Sequence, residues 1–365
     1  MKVLVIVTAH FGYDGISNVA TNYYLYQDHK KVQMDLLTIN DIHPFLKEEI
    51  KKNGDRHYIL SYRNSNTLKY IRKLSQLVKA NKYDVVHIHG NSNTMFVDLL
   101  AALLGGCKTR IAHCHTTRSD HPFINVILRP FFKLVYTGAF ACSAEAGEWL
   151  FKKGEATIIA NGIDLERFTL HADYRKQYKQ ELGVEDHLVI GHVGRFSAEK
   201  NHQKLLSIYN EIRAVNPDVT LLLWGDGELL EAVKQQAQNI GGDIRFMGTS
   251  HEIEKCLHAI DIFIMPSFYE GLPLTLIEAQ AIGIPCLLSN TVSPMAKITA
   301  SVFFKDLEAS DEEWANEAIR IASLSKVEDN AKISHERIRS AGYDIRVKAA
   351  NLLKIYQQEI EKNHG

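Results

Sequence analysis

Two carboxylates stand eight positions apart in the run Pro266-Ser267-Phe268-Tyr269-Glu270-Gly271-Leu272-Pro273-Leu274-Thr275-Leu276-Ile277-Glu278-Ala279. The run leaves an apolar strand, turns, and enters a helix. That places Glu270 in the strand-to-helix loop and Glu278 one to two turns into the helix. Each carboxylate offers two acceptor oxygens to neighbouring hydroxyls, which suits ribose or a hexose ring, and charge assistance strengthens such bonds. Arg195 and Lys200 lie five positions apart in the loop after the apolar run from Leu188 to Val193. A planar guanidinium fork and a compact ammonium there could grip one diphosphate. Where a reaction loads negative charge onto a departing diphosphate, fixed cations stabilise it. Gly12 and Gly15 follow the first apolar run, where a glycine loop opening a helix turns backbone N–H groups toward phosphate.

Histidines form a second constellation. His87 and His89 alternate onto one face of a strand, as do His113 and His115, with Cys114 between the latter two. Imidazole and thiol are metal ligands, but His113 and Cys114 point to opposite faces and no carboxylate has a matching short spacing. The spacing therefore predicts no metal, and ordinary strand-end histidines are the plain reading.

Positioning these groups requires parallel sheets. The first half alternates short apolar runs (KVLVIVTA, VQMDLLTI, DVVHIHG, TRIAHCH, AFACS, ATIIANGI) with helical patterns, which predicts parallel strands joined by helical crossovers. The pattern restarts after a polar helical segment, Tyr174 to Leu182, with LVIGHVGRF, VTLLLWGDG, IRFMG, IFIMPS, PCLLSN and SVFF. Two α/β domains follow, each a doubly wound Rossmann-like parallel sheet, spanning 1–165 and 166–343. The break falls after Asn161-Gly162-Ile163-Asp164, where a strand meets an Asn-Gly turn and a capping aspartate. Residues 344–365 read as one long helix. Open sheets of this kind bind ligands beyond the carboxyl ends of their strands, which is where most of the singled-out residues fall.

At 365 residues, 45% apolar and 23% charged, the chain has the composition of a folded two-domain protein. No run reaches the roughly 20 apolar residues needed to cross a bilayer. Five scattered cysteines show no disulfide or zinc spacing and fit a reducing cytoplasm. Residues 1–165 carry 20 Lys and Arg against 14 Asp and Glu, and the remainder carries 22 against 29. Without an arginine-rich run or aromatic-basic repeats, this split predicts no nucleic-acid partner; the basic half suits anionic lipid or a phosphorylated acceptor. Leu68 to Leu74 and Leu128 to Lys133 mix cations with bulky apolar groups, as helices lying on a membrane do.

The Glu270–Glu278 run resembles the donor-site signature of the retaining glycosyltransferases with the GT-B fold. His192-Val193-Gly194-Arg195-Phe196-Ser197-Ala198-Glu199-Lys200-Asn201 resembles that family's strand-loop motif. Asn161-Gly162-Ile163-Asp164, Trp224-Gly225-Asp226-Gly227 and Phe246-Met247-Gly248 match in the same order along the chain. Asn22-Tyr23-Tyr24 and the final helix resemble the branch that makes exopolysaccharide and capsule. The first loop departs from the usual adjacent glycines, reading Gly12-Tyr13-Asp14-Gly15.

The resemblance implies transfer of a hexose or N-acetylhexosamine, with retention, from a nucleoside diphosphate sugar, with UDP the expected nucleotide. The acceptor is a saccharide hydroxyl, in this family often on a lipid-linked chain, and the ligands meet in a cleft between the domains, with the helix 344–365 packing back on the first domain. It assigns Glu270, His115, Arg195 and Lys200 to catalysis and His89 to the acceptor side. Gly12, Gly15, Arg195, Lys200, Met247, Gly271, Leu272 and Glu278 would bind the nucleotide sugar, with cations and helix N-termini in place of a metal. A nucleotide-sugar isomerase of the same fold would need acid and base carboxylates around the sugar and no acceptor surface. A non-catalytic glycan- or partner-binding relative would not need Glu270, Arg195 and Lys200 together.

Overall fold

The computed structural model describes residues 1–12, 15–117, 119, 122–250, 252–270 and 273–364. The chain divides into two compact units, Met1–Gly162 with Ile345–Gly365, and Ile163–Asp344. The first holds β1 (Lys2–Val7), β2 (Gln33–Thr38), β3 (His57–Ile59), β4 (Val85–Gly90), β5 (Thr109–Cys114), β6 (Gly138–Ala141) and β7 (Thr157–Ile158). All pairings are parallel, in the order β3-β2-β1-β4-β5-β6-β7. The second holds β8 (Leu188–Val193), β9 (Val219–Trp224), β10 (Asp243–Gly248), β11 (Ile262–Met265), β12 (Cys286–Ser289) and β13 (Val302–Lys305), ordered β10-β9-β8-β11-β12-β13.

These runs are strands because their side chains can be buried on both faces. Val3 to Val7 of β1 and all six residues of β9 are buried, as expected where helices cover both sides of a parallel sheet. The helix Thr67–Asn81 shows how the cover is made. Asn66 Oδ1 accepts the Lys69 N–H at 3.0 Å to start it, and Tyr70, Leu74 and Val78, one turn apart, bury on a single face. In each sheet the strand order reverses beside the first strand, between β1 and β4 in one unit and between β8 and β11 in the other. Crevices for ligands form at the carboxyl ends of strands at such reversals.

Candidate functional site

In the second unit, the loops leaving β8 and β11 carry the cationic and carboxylate residues. Lys200 ends a single 3-10 turn, Ala198–Lys200, and Asn201 follows in the left-handed conformation (φ 53°) to cap the helix His202–Val215. Asn201 Nδ2 donates to the Pro266 carbonyl at 3.1 Å, and the Phe268 N–H donates to the Glu199 carbonyl at 2.8 Å, so the two loops are stitched together. Lys200 Nζ thereby forms an ion pair with Glu270 Oε1, both side chains largely buried. Ser267 Oγ donates to the same oxygen at 3.3 Å. Behind them, Ser289 Oγ and Thr291 Oγ1 both donate to the Ser267 carbonyl, and the Ser293 N–H donates to the Glu270 carbonyl at 3.2 Å. The carboxylate is thus fixed from its own backbone outward. A cation and a carboxylate that sequence spacing puts 70 positions apart share one site.

Arg195 stands apart from this pair. Its guanidinium meets Glu228 Oε2 at 3.1 Å with both side chains more than half exposed, so solvent screens its charge far more than that of Lys200. The backbone beneath is held by close approach. A Cβ on Gly225 (φ 141°) would lie 1.9 Å from the Gly194 carbonyl oxygen, and the Phe196 N–H donates to the Asp226 carbonyl at 3.0 Å. Only a residue without a side chain lets the turn after β9 press on the Arg195 loop. Met247, at the end of β10, is partly buried against the unit's core. Gly271 and Leu272 lie outside the described residues.

Glu278 lies in the helix Leu274–Ile282, after β11. Burial pushes its carboxyl up to about 7; Arg167 pulls the other way and Glu254 reinforces the rise. Arg167 and Glu254 are themselves ion-paired at 2.6 Å. Sequence reading assigned no role to either, because they sit 111 and 24 positions from Glu278 and only the fold brings them near.

The remaining residues belong to the first unit. Gly12 ends the loop after β1, its N–H donating to Ser17 Oγ at 3.1 Å, and Gly15 opens the helix Gly15–Leu25. A Cβ on either glycine would touch nothing within 4 Å, so the space beside them is open. Tyr13 and Asp14 lie outside the described residues. His89 on β4 and His115 just after β5 come together, Nδ1 to Nε2 at 2.9 Å. Burial drives His115 down to about 3 and His89 well below its ordinary value, so both rings are neutral at physiological pH.

Sequence comparison extends across both units. Residues 174–343 match the family described as Glycosyl transferases group 1, and residues 13–167 match Glycosyltransferase Family 4. EpsF of Bacillus subtilis (strain 168) is 32% identical over 96% of this chain and 95% of its own. The UDP-Gal:alpha-D-GlcNAc-diphosphoundecaprenol alpha-1,3-galactosyltransferase of Escherichia coli is 30% identical over 61% of this chain and 62% of its own. Among solved structures, Anabaena Alr3699/HepE in complex with UDP-glucose superposes with a TM-score of 0.78 at 17% identity, covering 98% of this chain and 100% of that one. The paired parallel-sheet units are the GT-B fold. With one family match over each unit and a relative aligned almost end to end, this chain belongs to the glycosyl transferases group 1 family.

Proposed function

We propose that the protein transfers a hexose or N-acetylhexosamine, with retention of configuration, from a UDP-sugar to a hydroxyl of a saccharide acceptor in cell-surface polysaccharide synthesis. The observation that carries this reading is the Lys200–Glu270 pair on the loops that flank the strand-order reversal. An arriving diphosphate takes over Lys200 and frees Glu270 to accept hydrogen bonds from the sugar, so each charge exchanges one partner for another. Arg195 adds a screened positive charge at the rim, Glu278 accepts from the ribose hydroxyls, and the open backbone at Gly12 and Gly15 faces phosphate. His115 lines the sugar and His89 the acceptor. Both rings are neutral, so they meet hydroxyls as hydrogen-bonding groups without a charge. The acceptor attacks from the leaving-group face, and a phosphate oxygen takes its proton, so no carboxylate nucleophile is needed. The Escherichia coli relative's name, which specifies a UDP-sugar and a diphosphoundecaprenol acceptor, supports both the nucleotide and a lipid-linked acceptor. A panel of nucleotide sugars in a thermal-shift assay, followed by transfer assays in excess EDTA, tests the reading. UDP-sugars should stabilise the protein, and turnover should require acceptor and survive chelation. Complete loss in EDTA, restored by magnesium or manganese and not by zinc, would overturn the metal-free diphosphate site.

The first unit also offers a surface for the lipid. In the helix Pro122–Val135, Phe123 and Leu134 are 77% and 78% exposed, with Ile124, Val126, Ile127 and Phe131 also exposed and Arg129 and Lys133 among them. The helix Thr67–Asn81 instead buries Tyr70 and Leu74 in the core, so of the two stretches singled out in sequence only the later one presents an apolar face. Among the described residues no helix is long and apolar enough to cross a membrane. A short helix with an apolar face and cations settles into the interface plane instead. Co-sedimentation with anionic vesicles should exceed that with neutral ones and fall as salt rises. Equal partitioning to both would remove the electrostatic part of this reading.

A further inference from the structure

Reading β4 and β5 one at a time hides what their pairing does. The parallel register sets His89 beside His113, so His87, His89, His113 and His115 gather on one face of the sheet. Stacked and tilted ring contacts link all four, with centroids 4.2–5.2 Å apart. The transfer reading uses only His89 and His115, at the carboxyl ends of the two strands, and leaves His87 and His113 without a part. An ion on His89 would take the ring nitrogen that otherwise meets an acceptor hydroxyl, so those two uses of His89 exclude each other.

We propose that His87, His89 and His113 form a binding site for a transition-metal ion that takes imidazole nitrogen, zinc(II) or copper(I), with Tyr356 and His115 orienting two of the ligands. One ring nitrogen from each of the three lies within 4.8 Å of the others. His87 Nε2 and His113 Nδ1 are 3.1 Å apart, close to the roughly 3.3 Å edge of a tetrahedron with metal–nitrogen bonds of about 2.0–2.1 Å. Two of the three ligands have, on their far nitrogens, the partners that a metal-bound imidazole needs, and the third, His113, does not. His87 Nδ1 meets Tyr356 Oη at 2.6 Å, and His89 Nδ1 meets His115 Nε2 at 2.9 Å, which leaves Nε2 of each ring for the ion. His113 Nε2 is buried with no hydrogen-bond partner, a nitrogen that the hydrogen-bonded arrangement leaves over. Among the described residues no anion joins the set, and Cys114 turns to the opposite face and donates to the Thr116 carbonyl. A buried all-imidazole set leaves the ion's charge uncompensated. It therefore favours copper(I), with a single charge, or zinc(II) carrying hydroxide as its fourth ligand.

The test is metal content of the full chain after exposure to zinc(II), or to copper(I) under reducing conditions, and removal of free ion. A parallel titration with cobalt(II) follows its visible absorption. About one ion per chain is expected, with a thermal midpoint that rises with ion concentration. Whichever of the two ions is retained identifies the occupant. His87→Gln and His113→Ala should lose the ion, and far-UV circular dichroism with the thermal midpoint in metal-free buffer reports whether each variant has folded. His10→Ala, outside the cluster, should keep it. Less than about a tenth of an equivalent of either ion in the parent, or equal uptake by parent and a folded His87→Gln, would overturn the site in favour of a metal-free histidine stack.

Discussion

Lys200→Ala is expected to lower kcat about a hundredfold, the loss seen when one fixed donor facing developing charge is removed. The ammonium is largely buried and held against Glu270 from two stitched loops, so little solvent stands ready to replace it. Its charge matters most as the diphosphate departs, and the loss should therefore fall on turnover more than on ground-state donor binding. Free UDP should also bind less tightly. Arg195→Ala should cost much less, because that guanidinium is 64% exposed and already paired with Glu228. Steady-state kinetics and calorimetry with UDP, on variants with parent-like thermal midpoints, check both. Turnover of Lys200→Ala within threefold of the parent would mean that the donor site lies elsewhere.

Donor affinity should fall roughly tenfold between about pH 8 and pH 6, because Glu278 titrates near 7 and only the ionised carboxylate accepts from both ribose hydroxyls. A raised carboxyl pKa means that the folded chain holds a proton that the unfolded chain has released. Between 4.5, the ordinary value, and about 7, ionising Glu278 therefore takes stability away from the fold as pH rises, while it readies the site for donor. A UDP-sugar is the right probe, since its diphosphate carries no terminal phosphate that titrates in this range. Glu278→Gln should bind with a pH-independent affinity near the parent's acid limit. Arg167→Gln should move the parent's midpoint upward, because Arg167 is the group that holds it down. An affinity that is flat with pH in the parent would remove Glu278 from the ribose.

Long β-branched runs made most of the fold legible. Val3 to Val7 and Val219 to Trp224 are buried along their length, and no helical period competes with them. β3 was missed: His57-Tyr58-Ile59 has only three residues, none of them buried, and is a strand only because the edge of β2 is there to pair with it. ATIIANGI, by contrast, yields just two paired residues, both exposed, and the expected Asn-Gly turn does not form: Asn161 and Gly162 lie outside any turn. The candidate site could be drawn up residue by residue, since strand ends and residue types are local properties. How those residues meet was not local. The Lys200–Glu270 pair depends on Asn201 and Glu199 reaching the loop after β11, and the histidine cluster depends on a strand register that no single-strand spacing encodes.

The helix Ile345–His364 belongs to the first unit although the whole of the second precedes it in the chain. During synthesis at 5–20 residues per second, the sheet of β1 to β7 therefore waits on the order of ten seconds or more for its last layer. Through that interval His87 lacks Tyr356, and Gln27 lacks the Ala349 carbonyl to which its side-chain amide donates at 3.1 Å. The second unit has all of its strands in one continuous stretch and can close first. On the ribosome, the unit that begins first is thus the one whose chain is completed last.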